Sequence, residues 1–316
     1  MNIVFKLIIA ILVSALFTGR LIPILKKKKI GQPIREEGNK EHYAKEGTPT
    51  MGGLAFTLAA LLLIALFEGF SFNSLVVMGA TLGFGLIGFT DDYEKISAGH
   101  NLGLTPKQKL LLQFVLSLVI ILIVGKFGEF DLKYQAFPFI EKPLYFGFLA
   151  IPILMFIMVG TVNAVNLTDG LDGLLTSVSI PVFFGLYIIN KTDLTSLGNI
   201  SVIFAGVLLG YLIYNSNPAS IFMGDTGSMA IGGAVSSILL LMNKSIFLII
   251  IGGIYFVEAL SVIIQVISFQ KTGKRVFLMS PIHHHYELKG YKESKIVASF
   301  MVVSIILTAL TVYLLA

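Results

Sequence analysis

The chain has 316 residues, of which 55% are hydrophobic and 13% charged, about half of the ~25% that is usual in soluble domains. It has no cysteine, which excludes a disulfide framework, a thiolate metal site and a cysteine nucleophile. Long apolar runs recur throughout and the net charge is a modest +5, so we expect residues 1–316 to form a single integral membrane domain.

Ten apolar segments predict an all-α fold, a polytopic membrane protein with about ten transmembrane helices. The first segment, 3–25, is longer than a signal-peptide core and lacks a small-residue cleavage pattern, so we interpret it as a retained span. The other predicted spans are 51–67, 72–90, 110–126, 144–162, 173–189, 200–214, 228–243, 246–268 and 296–316.

Lysine and arginine predict the orientation, because cytoplasmic loops of membrane proteins carry an excess of them. All but six of the 23 basic residues lie in the odd-numbered connections, counting Arg20 at the end of the first span. The odd connections are therefore predicted to be cytoplasmic, and both termini to lie outside. The six exceptions are Lys6, Lys126, Lys133, Lys142, Lys191 and Lys244.

Five of the seven aspartates also lie in odd connections, the exceptions being Asp131 and Asp193. A cation-binding reaction centre at the inner membrane edge would produce this asymmetry. The alternative is that acidic residues gather in polar loops by default.

The second span is preceded by KEGTPTMGG, residues 45–53, which combines Lys45 and the hydroxyl of Thr50 with a turn signal. A phosphate-contacting loop and a plain Gly/Pro break at a helix start both account for these residues.

Asp91 and Asp92 close the third span, where the negative end of a helix dipole makes two adjacent carboxylates costly. Mg²⁺ or a lysine such as Lys95 or Lys109 would compensate them. A solvated acidic helix end is the alternative.

The stretch 163–173, NAVNLTDGLDG, places two Asp-Gly pairs in a tight turn between two spans. Glycine lets the backbone approach a ligand closely, and the Asn and Asp side chains supply amide donors and hard oxygen ligands. A plain turn would not need so many polar side chains beside lipid.

Asp225 leads into the eighth span, so the N–H groups that follow it are predicted to point toward a bound phosphate. Its oxygens suit Mg²⁺, which shares its shell with substrate phosphates. A simple helix cap by Asp225 is the alternative.

The last loop contains three consecutive histidines, residues 283–285, after Lys271, Lys274 and Arg275. Neighbouring side chains do not share a face of a helix or strand, so phosphate contact is favoured over a zinc site. Glu258, inside the ninth span, has no assigned role: it is either a buried structural partner or a sign that this helix is broken.

These motifs resemble one family, the bacterial phospho-N-acetylmuramoyl-pentapeptide transferases, within the polyprenyl-phosphate N-acetylhexosamine-1-phosphate transferase superfamily. The similarity covers essentially the whole chain in the same order, and the histidine loop favours this branch over the N-acetylglucosamine-phosphate transferases. The matching stretches are GTPTMGG (47–53), GFTDDYEK (88–95), NAVNLTDGLDGL (163–174), FMGDTGS (222–228) and SPIHHHYELKG (280–290).

The resemblance implies an Mg²⁺-dependent enzyme that acts on UDP-N-acetylmuramoyl-pentapeptide and undecaprenyl phosphate and forms lipid I and UMP. It further implies ten helices with periplasmic termini, a homodimer in the bacterial cytoplasmic membrane, and an active site facing the cytoplasm. The lipid bilayer is the expected environment, and no nucleic acid is expected among the partners.

The resemblance also implies roles for individual residues. Asp225 would be the metal ligand, and Asp91 and Asp92 the catalytic pair near the lipid phosphate. The phosphate region would comprise Asn166, Asp169, His284, His285, Lys45 and Lys109, with Thr50 nearby. The nucleotide site would comprise Leu167, Gly170, Asp172 and Phe222, whose ring would stack on uracil, with Asn215 beside them.

Two questions stay open at this point. The lipid phosphate either attacks directly, with Asp92 orienting or deprotonating it, or an aspartyl-phosphate forms first on Asp91 or Asp92. The competing functions are a sister enzyme that uses UDP-N-acetylglucosamine and a transporter of polyprenyl-linked substrates, although transporters place ionisable residues near the bilayer midplane.

Overall fold

The computed structural model describes residues 2–28, 30–31, 47–98, 103–192 and 195–315. This part of the chain forms twelve α-helices and one two-stranded hairpin. The helices are α1 (Ile3–Lys27), α2 (Gly53–Glu68), α3 (Phe72–Ala98), α4 (Pro106–Phe127), α5 (Ala150–Thr168), α6 (Leu174–Asn190), α7 (Thr195–Asn215), α8 (Gly224–Leu241), α9 (Leu248–Ile251), α10 (Gly253–Thr272), α11 (Ile282–Leu288) and α12 (Glu293–Leu315).

Eight helices of the described ranges are long and apolar enough to cross a membrane, namely α1, α3, α4, α5, α7, α8, α10 and α12. The apolar helices α2 and α6 have 16 and 17 residues, fewer than the ~20 that a bilayer core requires. Each of the ten predicted segments overlaps one of these ten helices, and several helices extend beyond the predicted bounds, as α3 does to Ala98. The chain is therefore a polytopic helical membrane protein.

The ninth predicted segment, 246–268, is not one continuous helix. A 3-10 turn at Ser245–Phe247 leads into the four-residue α9, and α10 begins only after Gly252. Adjacent glycines at 252 and 253 are weak helix formers, which accounts for the position of the break. The sequence also did not predict α11, which carries the histidine run.

A hairpin follows α4, with β1 (Tyr134–Phe137) antiparallel to β2 (Ile140–Tyr145) and an irregularity between Gln135 and Phe137. The side chain of Asn243 fastens it, because its Nδ2 donates to the carbonyl of Tyr134 and its Oδ1 accepts from Gln135 Nε2 at 2.6 Å. The hairpin joins the carboxyl end of α4 to the amino end of α5, opposite the ends that carry Lys109 and Asn166.

The centre of the fold is α8, which is buried continuously from Thr226 to Leu241. It packs against α3 and α5, while α7 packs against α1 and α6. Helices at the periphery instead expose aliphatic side chains, such as Leu111 and Val115 of α4 and Val302 of α12. A helix that is apolar on all sides suits both environments, the protein core and the lipid.

A buried ion pair ties three helices together at the hairpin end of the molecule. Lys6 Nζ lies 2.5 Å from Glu68 Oε1, and both side chains are less than a tenth exposed. The amide of Asn199 donates to the other oxygen of Glu68 at 3.1 Å. The ion pair of Lys6 and Glu68 thus connects α1 to α2, and the hydrogen bond of Asn199 connects α7 to α2.

Candidate active site

A close crossing of α3 and α8 brings the predicted aspartates together. A Cβ atom on Gly88 would lie 2.1 Å from the carbonyl oxygen of Asp225, so only glycine permits this approach. One turn further along α3, Asp91 and Asp92 face Asp225. The candidate ligand atoms of the three carboxylates lie within 4.8 Å of one another.

Two lysines offset the charge of these carboxylates. Oδ2 of Asp225 accepts from Lys109 Nζ at 2.6 Å and from Lys95 Nζ at 3.1 Å. Lys95 also lies 2.5 Å from Oδ2 of Asp91, and Lys109 lies 3.8 Å from the same oxygen. The sequence proposed either a lysine or a cation as the compensating charge, and both of the lysines it named are in place.

Asp92 caps α8 at its amino end. Its Oδ1 accepts from the backbone N–H of Asp225 at 3.1 Å, and its Oδ2 accepts from the N–H and the hydroxyl of Thr226 at 2.9 and 2.7 Å. Of the N–H groups after Asp225 that were predicted to face a phosphate, the first, that of Thr226, is therefore occupied by Asp92. A carboxylate at a helix amino end is stabilised by the partial positive charge there.

Asn166, at the carboxyl end of α5, holds the other side of Asp225. Its Nδ2 donates to Oδ1 of Asp225 and to the hydroxyl of Ser228, both at 2.8 Å. One turn away in each helix, Asn163 of α5 and Gln113 of α4 exchange amide hydrogen bonds, the shorter at 2.6 Å. This amide pair sets α4 against α5 and so positions both Lys109 and Asn166.

Asp169 caps α5 and is half-buried beside the carboxylate cluster. Burial raises the pKa of its carboxyl to about 8, with further contributions from the negative charges of Asp225, Asp92 and Asp172. In this environment Asp169 is largely protonated near neutral pH.

Asp172 lies on the far side of the same turn and is buried. Its Oδ2 accepts from the backbone N–H of Ala219 at 2.9 Å, and its own N–H donates to Oε1 of Glu293 at 2.6 Å. The amide of Asn217 bridges Glu293 and Asp172. The sequence analysis missed Glu293 and Asn217, and an acid in the first turn of the last span was the available signal.

The first motif, residues 47–53, packs directly on the fourth, residues 222–228. The N–H of Phe222 donates to the carbonyl of Pro49, and the N–H of Gly52 donates back to the carbonyl of Phe222, both at 2.8 Å. Thr50 is buried in this contact and Phe222 is half-buried. Lys45 lies outside the described residues, so its predicted position is not addressed.

The histidine run forms the first turn of α11, and its members face different partners. His284 Nδ1 lies 2.9 Å from Oε2 of Glu287, while His285 Nδ1 accepts from the N–H of Leu278 at 3.1 Å. His283 turns into the protein interior. The side chains of His284 and His285 therefore contact different groups.

The remaining predicted nucleotide residues differ in their accessibility. Leu167 and Gly170 are half-buried in the turn that follows α5. Asn215 is buried, and its side chain accepts from the hydroxyl of Thr176 at 2.7 Å and donates to the carbonyl of Ile221 at 3.1 Å. Asn215 therefore supports the loop that leads to Phe222 from within the fold.

The three carboxylates fit a divalent cation of the magnesium type. Mg²⁺ takes hard oxygen ligands and leaves part of its shell to water and substrate phosphates, and all three side chains offer such oxygens. In the described ranges of the chain, Asp91, Asp92 and Asp225 are the one group of three or more potential ligands with this spacing.

Comparisons with known proteins point to a single family. A family model described as glycosyl transferase family 4 matches residues 74–243, and phospho-N-acetylmuramoyl-pentapeptide-transferase signature 1 matches residues 45–56. The chain is 45% identical to the phospho-N-acetylmuramoyl-pentapeptide-transferase of Caldanaerobacter subterraneus subsp. tengcongensis, over 98% of each chain. It is 43% identical to proteins of the same name from Bacillus licheniformis (99% of this chain, 97% of the relative) and Halalkalibacterium halodurans (98% and 96%).

Proposed function

The chain belongs to the phospho-N-acetylmuramoyl-pentapeptide transferase family, and on that premise we propose that Asp91, Asp92 and Asp225 form its reaction centre. The enzyme transfers phospho-N-acetylmuramoyl-pentapeptide from its UDP conjugate to undecaprenyl phosphate, giving lipid I and UMP in peptidoglycan synthesis. The observation that carries the assignment is the convergence of three carboxylates and two lysines from α3, α4 and α8.

Mg²⁺ is the proposed cofactor, held by Asp225 with Asp91 beside it. When bound, the ion would neutralise part of the charge on the diphosphate of the donor. Lys95 and Lys109 oppose the negative charge that remains. Asn166 keeps the carboxylate of Asp225 in one orientation through its 2.8 Å hydrogen bond.

In the proposed reaction, an oxygen of the lipid phosphate forms a bond to the phosphorus that carries the sugar. The bond from this phosphorus to UMP breaks, and UMP leaves with the electron pair. A phosphate monoester has its second pKa near ~6 and is mostly dianionic at pH 7, so the attack does not require a strong base. Placement and charge neutralisation supply most of the rate in such transfers.

The contacts of the two α3 aspartates support direct attack over an aspartyl-phosphate. Both oxygens of Asp92 accept hydrogen bonds from the amino end of α8, and Asp91 is buried against Lys95. A nucleophilic carboxylate needs an oxygen that the substrate can reach. We therefore assign Asp92 to holding α8 and Asp225 in place, a role that differs from the predicted one of orienting or deprotonating the lipid phosphate.

The donor would lie between the turn at 167–172 and Phe222. Leu167, Gly170 and Asp172 would border the nucleotide, and the half-buried ring of Phe222 would stack on uracil. Asp169, His284 and His285 would border the diphosphate, with Thr50 nearby. Lys45, outside the described residues, is proposed for the same region from the family resemblance.

The finer topology remains part of the proposal. Ten spans with both termini outside would place the reaction centre at the cytoplasmic face, as the distribution of lysine and arginine predicts. A homodimer is proposed from the family resemblance. Cysteine-accessibility labelling of single cysteines at the two termini and at Lys107 tests the orientation.

A UMP-release assay tests the proposed centre. Purified enzyme receives undecaprenyl phosphate, Mg²⁺ and either UDP-N-acetylmuramoyl-pentapeptide or UDP-N-acetylglucosamine. We expect wild-type enzyme to release UMP from UDP-N-acetylmuramoyl-pentapeptide and not from UDP-N-acetylglucosamine. We expect Asp225→Ala to release no UMP from either donor. Asp131→Ala, an exposed aspartate near the hairpin, is the matched control. Release with UDP-N-acetylglucosamine alone would contradict the donor assignment, and a fully active Asp225→Ala would contradict the site.

A further inference from the structure

Glu258 and His283 form a buried polar pair that the reaction centre described above does not use. Nδ1 of His283 lies 3.1 Å from Oε1 of Glu258, and both side chains are 0% exposed. Among the described residues, no group forms a hydrogen bond with either oxygen of Glu258 or with either ring nitrogen of His283, so the two side chains are in close contact without hydrogen-bond geometry. The sequence left Glu258 between a buried structural partner and a sign of a broken helix, and the structure shows a buried contact as well as a break at Gly252.

The far side of the His283 ring lies against the aspartate turn. A Cβ atom on Gly170 would lie 2.0 Å from Nε2 of His283, so the ring touches the backbone of this turn. Gly170 separates Asp169 from Leu171 and Asp172. The ring of His283 also lies 4.2 Å, between centroids, from the ring of His284. His283 therefore stands between α10, the aspartate turn and the next histidine of the run.

A second polar anchor lies two turns further along the same face of α10. Oε1 of Gln265 accepts from the N–H groups of Val276 and Phe277 at 3.0 and 2.9 Å, and its Nε2 donates to the carbonyl of Phe277 at 3.0 Å. Residues 258 and 265 are seven apart, which places them on one helix face. Gln265 thus holds the start of the segment that leads to α11, and Glu258 holds its end.

Stability alone is a weak reason for such a pair. Apolar residues of similar volume often replace a buried ion pair without loss of stability, whereas removing one partner leaves an uncompensated polar group. What the close contact provides is one defined position of the ring between α10 and the aspartate turn. The ring in turn supports residues that we assign to the donor nucleotide and its diphosphate.

We propose that Glu258 is a positioning residue that sets His283, and through it the aspartate turn and the histidine run, for binding the UMP part of the donor. This inference rests on the proposed function. Glu258 touches neither substrate nor the carboxylate cluster, and its effect is transmitted by the His283 ring. The specific consequence is that loss of the pair weakens nucleotide binding more than it weakens the fold.

The test compares Glu258→Ala, Glu258→Gln and His283→Asn with wild type in full-length protein. The readouts are the Kd of UMP by calorimetry, KM and kcat in UMP release, and the unfolding temperature. Loss of a residue that orients a ligand-binding group typically reduces affinity or activity about 10–100-fold. We expect Glu258→Ala to raise both the UMP Kd and the donor KM by about tenfold or more, with a smaller change in kcat.

Glu258→Gln keeps the size of the side chain and an oxygen beside Nδ1 of His283, and it is expected to retain part of the UMP affinity. It therefore replaces the alanine variant in the test if that variant does not fold. The double variant Glu258→Gln/His283→Asn should bind UMP no less tightly than the single variant of lower affinity, because both substitutions disrupt the same contact. Glu68→Gln is the control, since it removes a buried carboxylate partner at the opposite end of the molecule.

The proposal is overturned if the Glu258 and Glu68 variants lower the unfolding temperature alike while UMP affinity and KM stay at wild-type values. Additive effects of Glu258→Gln and His283→Asn would overturn it as well. Failure of the proposed function is a separate outcome, because wild type itself would then release no UMP from either donor.

Discussion

The carboxylate of Asp92 accepts a hydrogen bond from the backbone N–H of Asp225, and a second from the N–H of Thr226. The sequence analysis treated Asp91 and Asp92 as one catalytic pair, but the two side chains make different contacts. Asp92 fixes the amino end of α8, and the position of the Asp225 carboxylate depends on it.

The first prediction concerns the side chain at position 92. Asp92→Ala leaves two amides of α8 without an acceptor and should cost about 1–3 kcal/mol in the free energy of unfolding, together with nearly all turnover. Asp92→Asn keeps one acceptor oxygen and should retain at least about tenfold more kcat than Asp92→Ala, because the geometry of Asp225 survives. UMP release and thermal unfolding measure the two effects. An asparagine variant that unfolds like wild type yet turns over no faster than the alanine variant would assign the carboxylate a direct chemical role.

The second prediction concerns the crossing of α3 and α8. Gly88→Ala places a methyl group against the carbonyl of Asp225 and should lower the free energy of unfolding by about 1–3 kcal/mol, as overpacking does. It should also reduce kcat, since Asp91 moves away from Asp225. Gly79→Ala, in the same helix but with open space around the added methyl, is the control and should unfold like wild type. Equal unfolding temperatures for the two variants would refute the close crossing.

The third prediction concerns Lys109. Its ammonium compensates Asp225 at 2.6 Å, so Lys109→Met should leave the cluster more negative and tighten the binding of Mn²⁺ to substrate-free enzyme by about tenfold. A unit charge at this distance is worth several kcal/mol at an effective dielectric constant of ~20, and competition with water and ions reduces that figure. Turnover should fall at the same time, because the lysine also opposes the charge of the diphosphate.

Lys107→Met is the matched control for this experiment, since Lys107 lies in the same turn of α4 and is exposed. Calorimetry or the paramagnetic resonance of free Mn²⁺ measures affinity without any assay of the loaded enzyme. Equal Mn²⁺ affinity in Lys109→Met and Lys107→Met would show that the lysine does not face the metal site.

The fourth prediction follows from the raised pKa of Asp169. The folded-state pKa is about 8, compared with ~3.9 in an unfolded chain, so the folded protein favours the protonated form. Stability from this group is fully present below pH ~4 and is lost as the pH rises towards 8. Asp169→Asn cannot ionise, so its unfolding temperature relative to wild type should rise between pH 5 and pH 8.5 in the presence of EDTA. Asp131→Asn should show no such trend, and a flat difference for Asp169→Asn would place its carboxyl in a water-like environment.

The positions of the spans were predictable because lipid-facing and core helices share one strong signal, a long apolar run. The four aspartates of the site were also predictable, since each stands beside glycine, asparagine or a second aspartate at the edge of such a run. The helix α11 was not predictable, because its position depends on the contacts that Glu258 and Gln265 of α10 make with residues 276–283. Gln113 was missed although a single amide within an apolar span is itself a signal of a buried partner.

The sequence also did not predict which group contacts the amino end of α8. Residues 224–228 predict a helix start beside a carboxylate, but they do not tell whether the helix receives a ligand or a side chain of another helix. Asp92 reaches the start of α8 only because α3 packs on α8, and this packing depends on small residues distributed over both helices.

Asp92 and Thr226 are 134 residues apart in the sequence, which has a consequence for biosynthesis. At translation rates of ~5–20 residues per second, the ribosome delivers the partner helix on the order of ten seconds after the aspartates emerge. A carboxylate without a partner is costly inside the bilayer. Asp91 and Asp92 directly follow the predicted span 72–90, in the last two turns of α3, so we expect them to stay at the membrane edge until α8 is made. The same two side chains in mid-membrane would hinder insertion of the nascent chain long before any catalysis.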